Sequence, residues 1–272
     1  MPFIRPFEPR DTEACMHIHS LTAQDHCRAT QSPTVAADPV TARMSPYIWC
    51  VQFTHLSPQT CFVLVDDTDT DTNTNTDFSS PFKDGKDGKV VGYVIGTPDV
   101  HTFAACYPRY IKEVLQSPQG LIDVPPPKQL DTLESWFLSS SEGGKTKEAA
   151  AATAAQRLNP VCLAQLAYNP QWLVLSGPEG GPAEARKKEM VETWRAMLHI
   201  DLLDEWQGKG WGRKMIERFV EAVRKSGEEY GRGVNLGVAG ENKKVVKFYE
   251  KVGFRVFEGG EAEGNVWMVR DL

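Results

Sequence analysis

Three glycines within five positions, Gly208, Gly210 and Gly212, stand between an apolar run and a stretch with helical periodicity. A turn needs one or two glycines, whereas a loop that wraps successive backbone N–H groups around an anion needs several. Arg213 and Lys214 follow at the mouth of the predicted helix, where the helix dipole also attracts negative charge. The pattern indicates a pyrophosphate site. A turn that only tightens the packing of the strand against the helix is the alternative.

Other phosphate and metal motifs are absent from the sequence. The glycine order is not the GxGxxG of a dinucleotide-binding fold, and no lysine–serine pair marks a P-loop. Alternating Asp and Thr in Asp67–Gly88 lack the glycine and the terminal glutamate of a calcium-binding EF-hand loop. The six cysteines have no CxxC spacing, and the six histidines form no partner pattern with them. No metal is expected.

Two aspartates stand where a polar substrate could be held. Asp201 lies inside the apolar run Met197–Leu203, and strand alternation puts it on the same face as His199. A carboxylate there needs hydrogen bonds, a cationic partner or a substrate amine, so a catalytic and a structural role both stay open. His199 is either a core histidine or a substrate contact. Asp99 either holds the substrate or caps the helix that follows it.

Strands that alternate with helices must position these residues, and such alternation predicts an α/β sheet. The predicted strands are Phe3–Asp11 in part, Thr60–Asp67, Lys89–Asp99, Met197–Leu203, Gly233–Gly240, Phe254–Phe257 and Val266–Leu272, and the predicted helices begin near Asp11 and span Met190–Arg195, Gly212–Ser226 and Asn242–Val252. Two insertions interrupt the pattern. Asp67–Gly88 has the composition of a disordered hairpin tip, and Ser117–Arg186 combines linkers, an alanine-rich helix and the apolar segment Cys162–Leu175, which is expected to dock on the core.

Composition narrows the functional class. The chain has 272 residues, 41% of them hydrophobic, which is enough for a sizeable core. A net charge of −6 gives no general electrostatic footprint for nucleic acid. No apolar run reaches the roughly 18–20 residues of a membrane helix, and the N-terminus lacks the apolar core of a signal peptide. Scattered cysteines favour the cytoplasm, with the nucleus as the alternative. Nothing in the sequence indicates an oligomeric state.

Two motifs resemble the GNAT acetyltransferase superfamily. Gln207–Gly212, QGKGWG, is similar to its Q/R-x-x-G-x-G/A signature and stands between a strand and a helix, as that signature does. Downstream, VNLGVAGENKKVVKFYEKVGFRVF resembles its second half-site, in which a strand is followed by Asn242 and an FYEKxGF box. The resemblance implies one GNAT domain over residues 1–272. Its fold would be α/β (α+β), a mixed and mostly antiparallel sheet splayed between strands 4 and 5 and flanked by helices.

The segments TCFVLVDD, VVGYVIGTPDVHTF and MLHIDLLDEWQGKGWGRKMIERF narrow the resemblance. They look like the acetyltransferase-like domain of O-GlcNAcases and its free-standing bacterial and fungal relatives. The likeness covers both ends of the chain, but not Asp67–Gly88 and hardly Ser117–Arg186. Substrate contacts made by those two insertions cannot be carried over from the resemblance.

The resemblance also implies a site. Acetyl-CoA would lie between Met197–Leu203 and Gly233–Gly240. Tyr249 would be the acid that protonates the departing thiolate, with packing of the cofactor beside Phe248 as the alternative. Asp201 would act as the base or hold the substrate ammonium, with Asp99 and His199 as further substrate contacts. The cofactor-binding residues would be Leu202 and Leu203 through their backbone, then Gln207, Gly208, Lys209, Gly210, Trp211 and Gly212 around the pyrophosphate, Arg213 beside it, and Asn242 on the cofactor arm.

The implied activity is an acetyl-CoA-dependent N-acetyltransferase that releases CoA and acetylates a primary amine. A small molecule such as an amino sugar is the preferred acceptor. A protein lysine of the histone type is the alternative, and a non-catalytic acetyl-CoA-binding domain is a further one. An intact glycine loop, Asn242 and Tyr249 argue against the non-catalytic alternative.

Overall fold

The computed structural model describes residues 1–30, 38–67, 88–138, 157–176, 182–239, 243–259 and 265–272. Three of the predictions above fall wholly or mostly outside these ranges. They are the disordered hairpin tip, the alanine-rich helix and the role of Asn242. Among the described residues, no helix combines the length and the apolar composition needed to cross a lipid bilayer.

A seven-stranded sheet forms the centre of the described structure, in the order β1-β2-β3-β4-β5-β7-β6. Neighbouring strands pair antiparallel except β4 and β5, which run parallel. The fold is therefore the mixed, mostly antiparallel α/β architecture that the resemblance implied. The strands are β1 Phe3–Pro6, β2 Phe62–Asp66, β3 Lys89–Thr97, β4 Ala196–Leu202, β5 Gly233–Ala239, β6 Arg255–Val256 and β7 Asn265–Asp271.

The parallel pair opens along its length. Strands β4 and β5 have seven residues each, but they pair only at Ala196 with Val234 and at Met197 with Asn235. The buried side chain of Asn235 donates to the carbonyls of Trp194 (2.7 Å) and Ala196 (3.0 Å). These bonds tie β5 to the start of β4, so the divergence begins just after Met197. The predicted splay between strands 4 and 5 is confirmed.

Helices cover both faces of the sheet. Side chains of Val63, Tyr93 and Ile95 belong to a core shared with α1, α2, α4 and α6, whereas Leu64 and Leu198 belong to a core shared with α8 and α9. Strand alternation explains this division. The helices are α1 Thr12–Thr30, α2 Pro39–Pro46, α3 Gln52–Leu56, α4 Val100–Tyr110, α5 Pro118–Asp123, α6 Pro160–Tyr168, α7 Pro182–Thr193, α8 Trp211–Lys225 and α9 Lys243–Lys251.

The apolar part of the second insertion packs on this core. Leu163 and Ala167 of α6 are fully buried there, and Val174 is buried in a single π-helical turn, Gln171–Leu175. The predicted docking of Cys162–Leu175 is thus confirmed. Helix α7 begins eight residues before the predicted start at Met190, because its first two turns are polar and show no apolar periodicity.

Asp99 caps helix α4 and pairs with a cation. Its carboxylate accepts hydrogen bonds from the N–H groups of His101 (3.0 Å) and Thr102 (3.3 Å), and both of its oxygens meet the guanidinium of Arg195 at 2.9 and 2.7 Å. Burial opposes its ionisation, but Arg195 and the helix N–H groups outweigh burial and hold the pKa of Asp99 below its usual range. Asp99 is therefore the N-cap and not a substrate residue, because both oxygens are already used.

Replacing Asp99 with Ala should lower the free energy of unfolding by about 2–4 kcal/mol, since a cap and a charge-assisted hydrogen bond are lost together. Urea unfolding followed by circular dichroism measures this. Asp99→Asn keeps a cap acceptor and should lose less. Because the pKa of Asp99 is lower in the folded chain, its stabilisation is complete above about pH 4 and declines as the pH falls through the folded-state pKa. Normal stability with lost turnover would contradict the structural role.

Candidate active site

The glycine loop connects the end of β4 to α8. Gly208 and Gly210 have φ values of 69° and 83°, which belong to the left-handed region that favours glycine. A Cβ atom added to either would meet nothing within 4 Å, so the space in front of the loop is open. A Cβ on Gly212 would lie 2.9 Å from Cζ of Phe248. The packing alternative therefore explains Gly212, and the other two glycines shape the loop itself.

The start of α8 presents unpaired donors. Gly210 is its N-cap, no side chain caps it, and its first backbone hydrogen bond runs from Lys214 N–H to Gly210 C=O at 3.4 Å. The N–H groups of Trp211, Gly212 and Arg213 therefore have no acceptor within the helix. Such a helix end binds phosphate groups. Two exposed cations flank it: Lys209 lies over the Trp206 ring at 5.2 Å, and Lys214 over the Trp211 ring at 4.2 Å.

Two side chains of the motif brace the structure. Arg213 Nη2 donates to the carbonyl of Lys251, the last residue of α9, at 2.6 Å. The C-terminal carbonyls of a helix lack acceptor partners and attract cations, which explains why Arg213 lies there and not beside the loop. Gln207 Nε2 donates to the Leu202 carbonyl and to Asp204, both at 2.9 Å, and so closes the loop onto β4. The Arg213 side chain therefore lies at the end of α9 and not at the phosphate site, which corrects the expectation from the sequence.

The two leucines at the end of β4, Leu202 and Leu203, direct their backbone N–H groups to opposite sides of the strand. Leu203 N–H donates to Val91 of β3 at 3.1 Å and is not free for a ligand, and its carbonyl already accepts from Trp206 N–H at 2.7 Å. In an antiparallel pair the neighbouring residue points its backbone the other way. Leu202, which lies opposite Gly92, therefore directs its N–H into the gap that opens beside β5. The expectation for Leu203 is corrected, and that for Leu202 stays a proposal.

Three donors converge on one oxygen of Asp201. Tyr93, directly opposite on β3, donates its hydroxyl to Oδ2, which His199 Nε2 approaches at 3.2 Å and His19 Nδ1 at 3.3 Å. The side chain is 17% exposed. Burial opposes its ionisation, but His199 and His19 outweigh burial and hold the pKa of Asp201 well below its usual range. Asp201 is therefore a carboxylate at neutral pH.

An ionised carboxylate only accepts hydrogen bonds, and this fixes the protons of its neighbours. His199 therefore donates from Nε2 to this carboxylate, and its Nδ1 lies outside this hydrogen bond. The His199 side chain is 32% exposed, so a ligand can approach it. His19 is buried, and its Nε2 lies 2.6 Å from Ser45 Oγ, which holds that ring in place.

The donor atoms of His19, His199 and Asp201 lie within 4.8 Å of one another, as metal ligands would. The hydrogen bonds to Asp201 Oδ2 account for this arrangement without an ion. The expectation that no metal is bound stays a prediction.

Tyr249 lies on α9, on the other face of the sheet from Asp201. It is 8% exposed and packs between the rings of Phe248 (5.2 Å) and Phe254 (5.5 Å). Burial, together with the charge of Asp201, raises the pKa of Tyr249 well above its ordinary value. The group therefore keeps its proton and is in electrostatic reach of Asp201.

The sequence analysis missed three residues of this cluster: His19, Ser45 and Tyr93. Tyr93 stands in a strand of apolar neighbours, where a buried hydroxyl needs a partner, and this signal could have been used. The pairing of Tyr93 with Asp201 depends on the register of β3 against β4. Nothing local in the sequence specifies the approach of His19 and Ser45.

Comparisons with known proteins agree with this geometry. Residues 170–254 match the model of the acetyltransferase (GNAT) family. The solved structure of SsHAT is 23% identical, covers 99% of this chain and 98% of its own, and superposes with a TM-score of 0.63. A GCN5-related N-acetyltransferase from Kribbella flavida is 15% identical, covers 100% and 98%, and has a TM-score of 0.41. A search of curated proteins finds no match.

The likeness to SsHAT shows the fold, and the family match covers β4, the glycine loop, α8, β5 and α9. The expected closeness to the O-GlcNAcase-linked domain stays a prediction. Residues 170–254 match the GNAT family of acyltransferases, whose acetyl donor is acetyl-CoA.

Proposed function

We propose that this protein is an N-acetyltransferase that acetylates the primary amine of a small molecule such as an amino sugar. One observation carries the proposal: strand β4 joins both halves of a transfer site. The carboxylate cluster around Asp201 lies near its C-terminal end, and the strand leads into a loop with free N–H groups and open space beside Gly208 and Gly210. An amine and an acetyl donor placed along one strand would meet where β4 leaves β5.

On the donor side, the backbone does the binding. The N–H groups at the start of α8 would hold the pyrophosphate, and Leu202 N–H would meet the arm that leads to the thioester. Lys209 and Lys214 add positive charge at the loop. The bound acetyl-CoA supplies an activated acyl group, and the protein supplies its position relative to the amine.

On the acceptor side, the roles of Asp201 and His199 divide. A carboxylate whose pKa lies well below its usual range is a poor proton acceptor at neutral pH, so Asp201 would attract the ammonium and orient His199. His199 Nδ1 would take the proton. The amine nitrogen would then bond to the acetyl carbon as the C–S bond breaks, and Tyr249 would be the residue that gives a proton to the departing sulfur. This changes the expectation that Asp201 is itself the base.

The proposal as a whole is tested by calorimetric titration with acetyl-CoA, followed by thiol release with a panel of amines. We expect binding, and turnover that is faster with glucosamine than with polyamines or histone-type lysine peptides. Faster turnover with the peptides would favour a protein acceptor. Binding with no thiol release for any amine would favour a non-catalytic domain.

Replacing Gly210 with Leu should weaken acetyl-CoA binding at least about tenfold, because the side chain would enter the space in front of the N–H groups. Gly227→Leu is a matched control. Gly227 also has a positive φ, 76°, and open space around it, but it follows the far end of α8. Calorimetry on both variants separates loss of the site from backbone strain. Equal affinities in the two variants would remove the loop from the binding site.

Replacing Tyr249 with Phe keeps the ring between Phe248 and Phe254 but removes the hydroxyl. We expect kcat to fall by about 10²–10⁴-fold, the usual effect of a positioned acid, with nearly unchanged acetyl-CoA affinity and melting temperature. Because the pKa of Tyr249 is raised, the wild-type rate should show no alkaline loss from this group up to about pH 10. An unchanged kcat would leave Tyr249 as a packing residue.

Replacing Asp201 with Asn should lower kcat/KM for the amine by about 10²-fold or more while sparing acetyl-CoA affinity. The low pKa of Asp201 also predicts that the wild-type rate shows no titration of this group near pH 4, since the carboxylate stays ionised there. Tyr93→Phe is the control, because it removes one hydrogen bond and keeps the charge. It should cost less activity. If Asp201→Asn loses stability while the folded fraction keeps full turnover, the carboxylate is a structural anchor.

A further inference from the structure

A row of five rings leads from the surface to the Asp201 cluster. Trp136, Trp49, His19, His199 and Tyr93 follow one another with ring centroids 6.4, 6.3, 5.6 and 6.1 Å apart. We call this set the aromatic row. His19 and His199 both approach Asp201, and Trp136, at the other end, is 37% exposed. The row therefore extends from the Asp201 cluster to the exposed ring of Trp136.

The segment that carries Trp136 is held by buried amides. Gln165 of α6 is fully buried and donates to the carbonyls of Gln129 (3.1 Å) and Thr132 (2.9 Å), while its own oxygen accepts from Glu134 N–H at 2.8 Å. Both N–H groups and the oxygen of the Gln165 amide therefore bond to backbone groups of an irregular segment. The path of the chain just before Trp136 is therefore fixed.

A second amide holds the position of Trp136 itself. Asn159 Nδ2 donates to the Ser135 carbonyl at 3.0 Å, and Asn159 N–H donates to the Trp136 carbonyl at 2.9 Å. Phe137 and Leu158 form an isolated antiparallel bridge next to them. An exposed indole on a backbone held this firmly loses little conformational freedom when it binds a ligand, which is how rigid aromatic side chains gain affinity.

The two tryptophans meet at an angle. Their rings are inclined by 77°, and Trp49 lies in a single π-helical turn, Tyr47–Val51, a feature that often marks functional sites. Two indoles at this angle form a corner with two apolar walls. A saturated six-membered ring can press its C–H face on one wall and its edge on the other, whereas an extended alkyl chain fills only part of the corner.

We propose that Trp49 and Trp136 form a subsite for the pyranose ring of an amino sugar, which directs the sugar's amine towards Asp201 and His199. The inference rests on the proposed transferase function and names its acceptor class. The ionised Asp201 attracts the ammonium group, and the indoles bind the apolar face of the ring. A hexosamine carries both features in one small molecule. The second insertion, through Trp136, thereby takes part in acceptor binding.

Thiol-release kinetics on the full chain test this with three amines: glucosamine, galactosamine, whose axial hydroxyl interrupts one C–H face, and ethanolamine, which has no ring. Wild-type kcat/KM should decrease in that order. Trp136→Ala should lower kcat/KM for glucosamine about ten- to a hundredfold, through KM, and leave ethanolamine nearly unchanged. Trp49→Phe keeps a smaller ring and should show a weaker form of the same loss. Leu138→Ala is the matched control, because Leu138 is also apolar, 41% exposed and two residues from Trp136.

Equal losses for glucosamine and ethanolamine in Trp136→Ala, or no loss for either, would overturn the subsite. A lysine peptide that outcompetes glucosamine and depends on Trp136 would also overturn it, in favour of a protein acceptor. Acetyl-CoA affinity, measured by calorimetry on each variant, reports separately on the transferase function. If that function fails, glucosamine titrated against the difference in tryptophan fluorescence between wild type and Trp136→Ala still decides whether the sugar binds. A saturable change supports the subsite, and its absence rejects it.

Discussion

The opening between β4 and β5 is the constraint on which the rest of this structure depends. Two parallel strands that separate inside a protein leave backbone groups without partners, and such groups are costly unless something satisfies them. Asn235 satisfies two carbonyls at the closed end, and Gln207 satisfies the Leu202 carbonyl at the open end. The Leu202 N–H remains directed towards the gap. A ligand with carbonyl groups can accept a hydrogen bond from such a donor, whereas an apolar ligand would leave the donor unpaired.

The two faces of the sheet place an ionised carboxylate and a protonated phenol near this opening. One face brings a carboxylate that stays charged because Tyr93, His19 and His199 donate to it. The other brings Tyr249, whose hydroxyl stays protonated because it is buried and because Asp201 is negative. The same negative charge thus serves both groups: it raises the pKa of the phenol and orients the imidazole. The two faces of the sheet thus give a carboxylate and a phenol opposite shifts in pKa.

Local patterns in the sequence predicted the glycine loop between β4 and α8 and the helix that follows β5. The glycines, the flanking strand and helix, and the FYEKxGF box lie close together in the chain, so their spacing carries the geometry. The acceptor half depends on long-range pairing. Tyr93 meets Asp201 only because Gly92 lies opposite Leu202, and His19 reaches Asp201 from a helix near the N-terminus. No local spacing encodes such contacts.

The incorrect predictions for single residues have the same cause, because each residue's partner lies outside its local sequence pattern. Leu203 was expected to serve the cofactor because it ends the strand, but alternation turns its backbone towards β3. Arg213 was placed at the phosphate because it follows the glycines, but the end of α9 lies within its reach and holds it. Asp99 was an open choice in the sequence, and Arg195, 96 positions further along the chain, decides it.

Two contacts join helices α8 and α9: the hydrogen bond from Arg213 to the Lys251 carbonyl, and the packing of Gly212 against Phe248. Helix α8, which follows the glycine loop, and helix α9, which carries Tyr249, contact each other at these two adjacent points. A shift of one helix would therefore move the other. The joint between these two helices therefore links the position of the glycine loop to the position of the Tyr249 phenol.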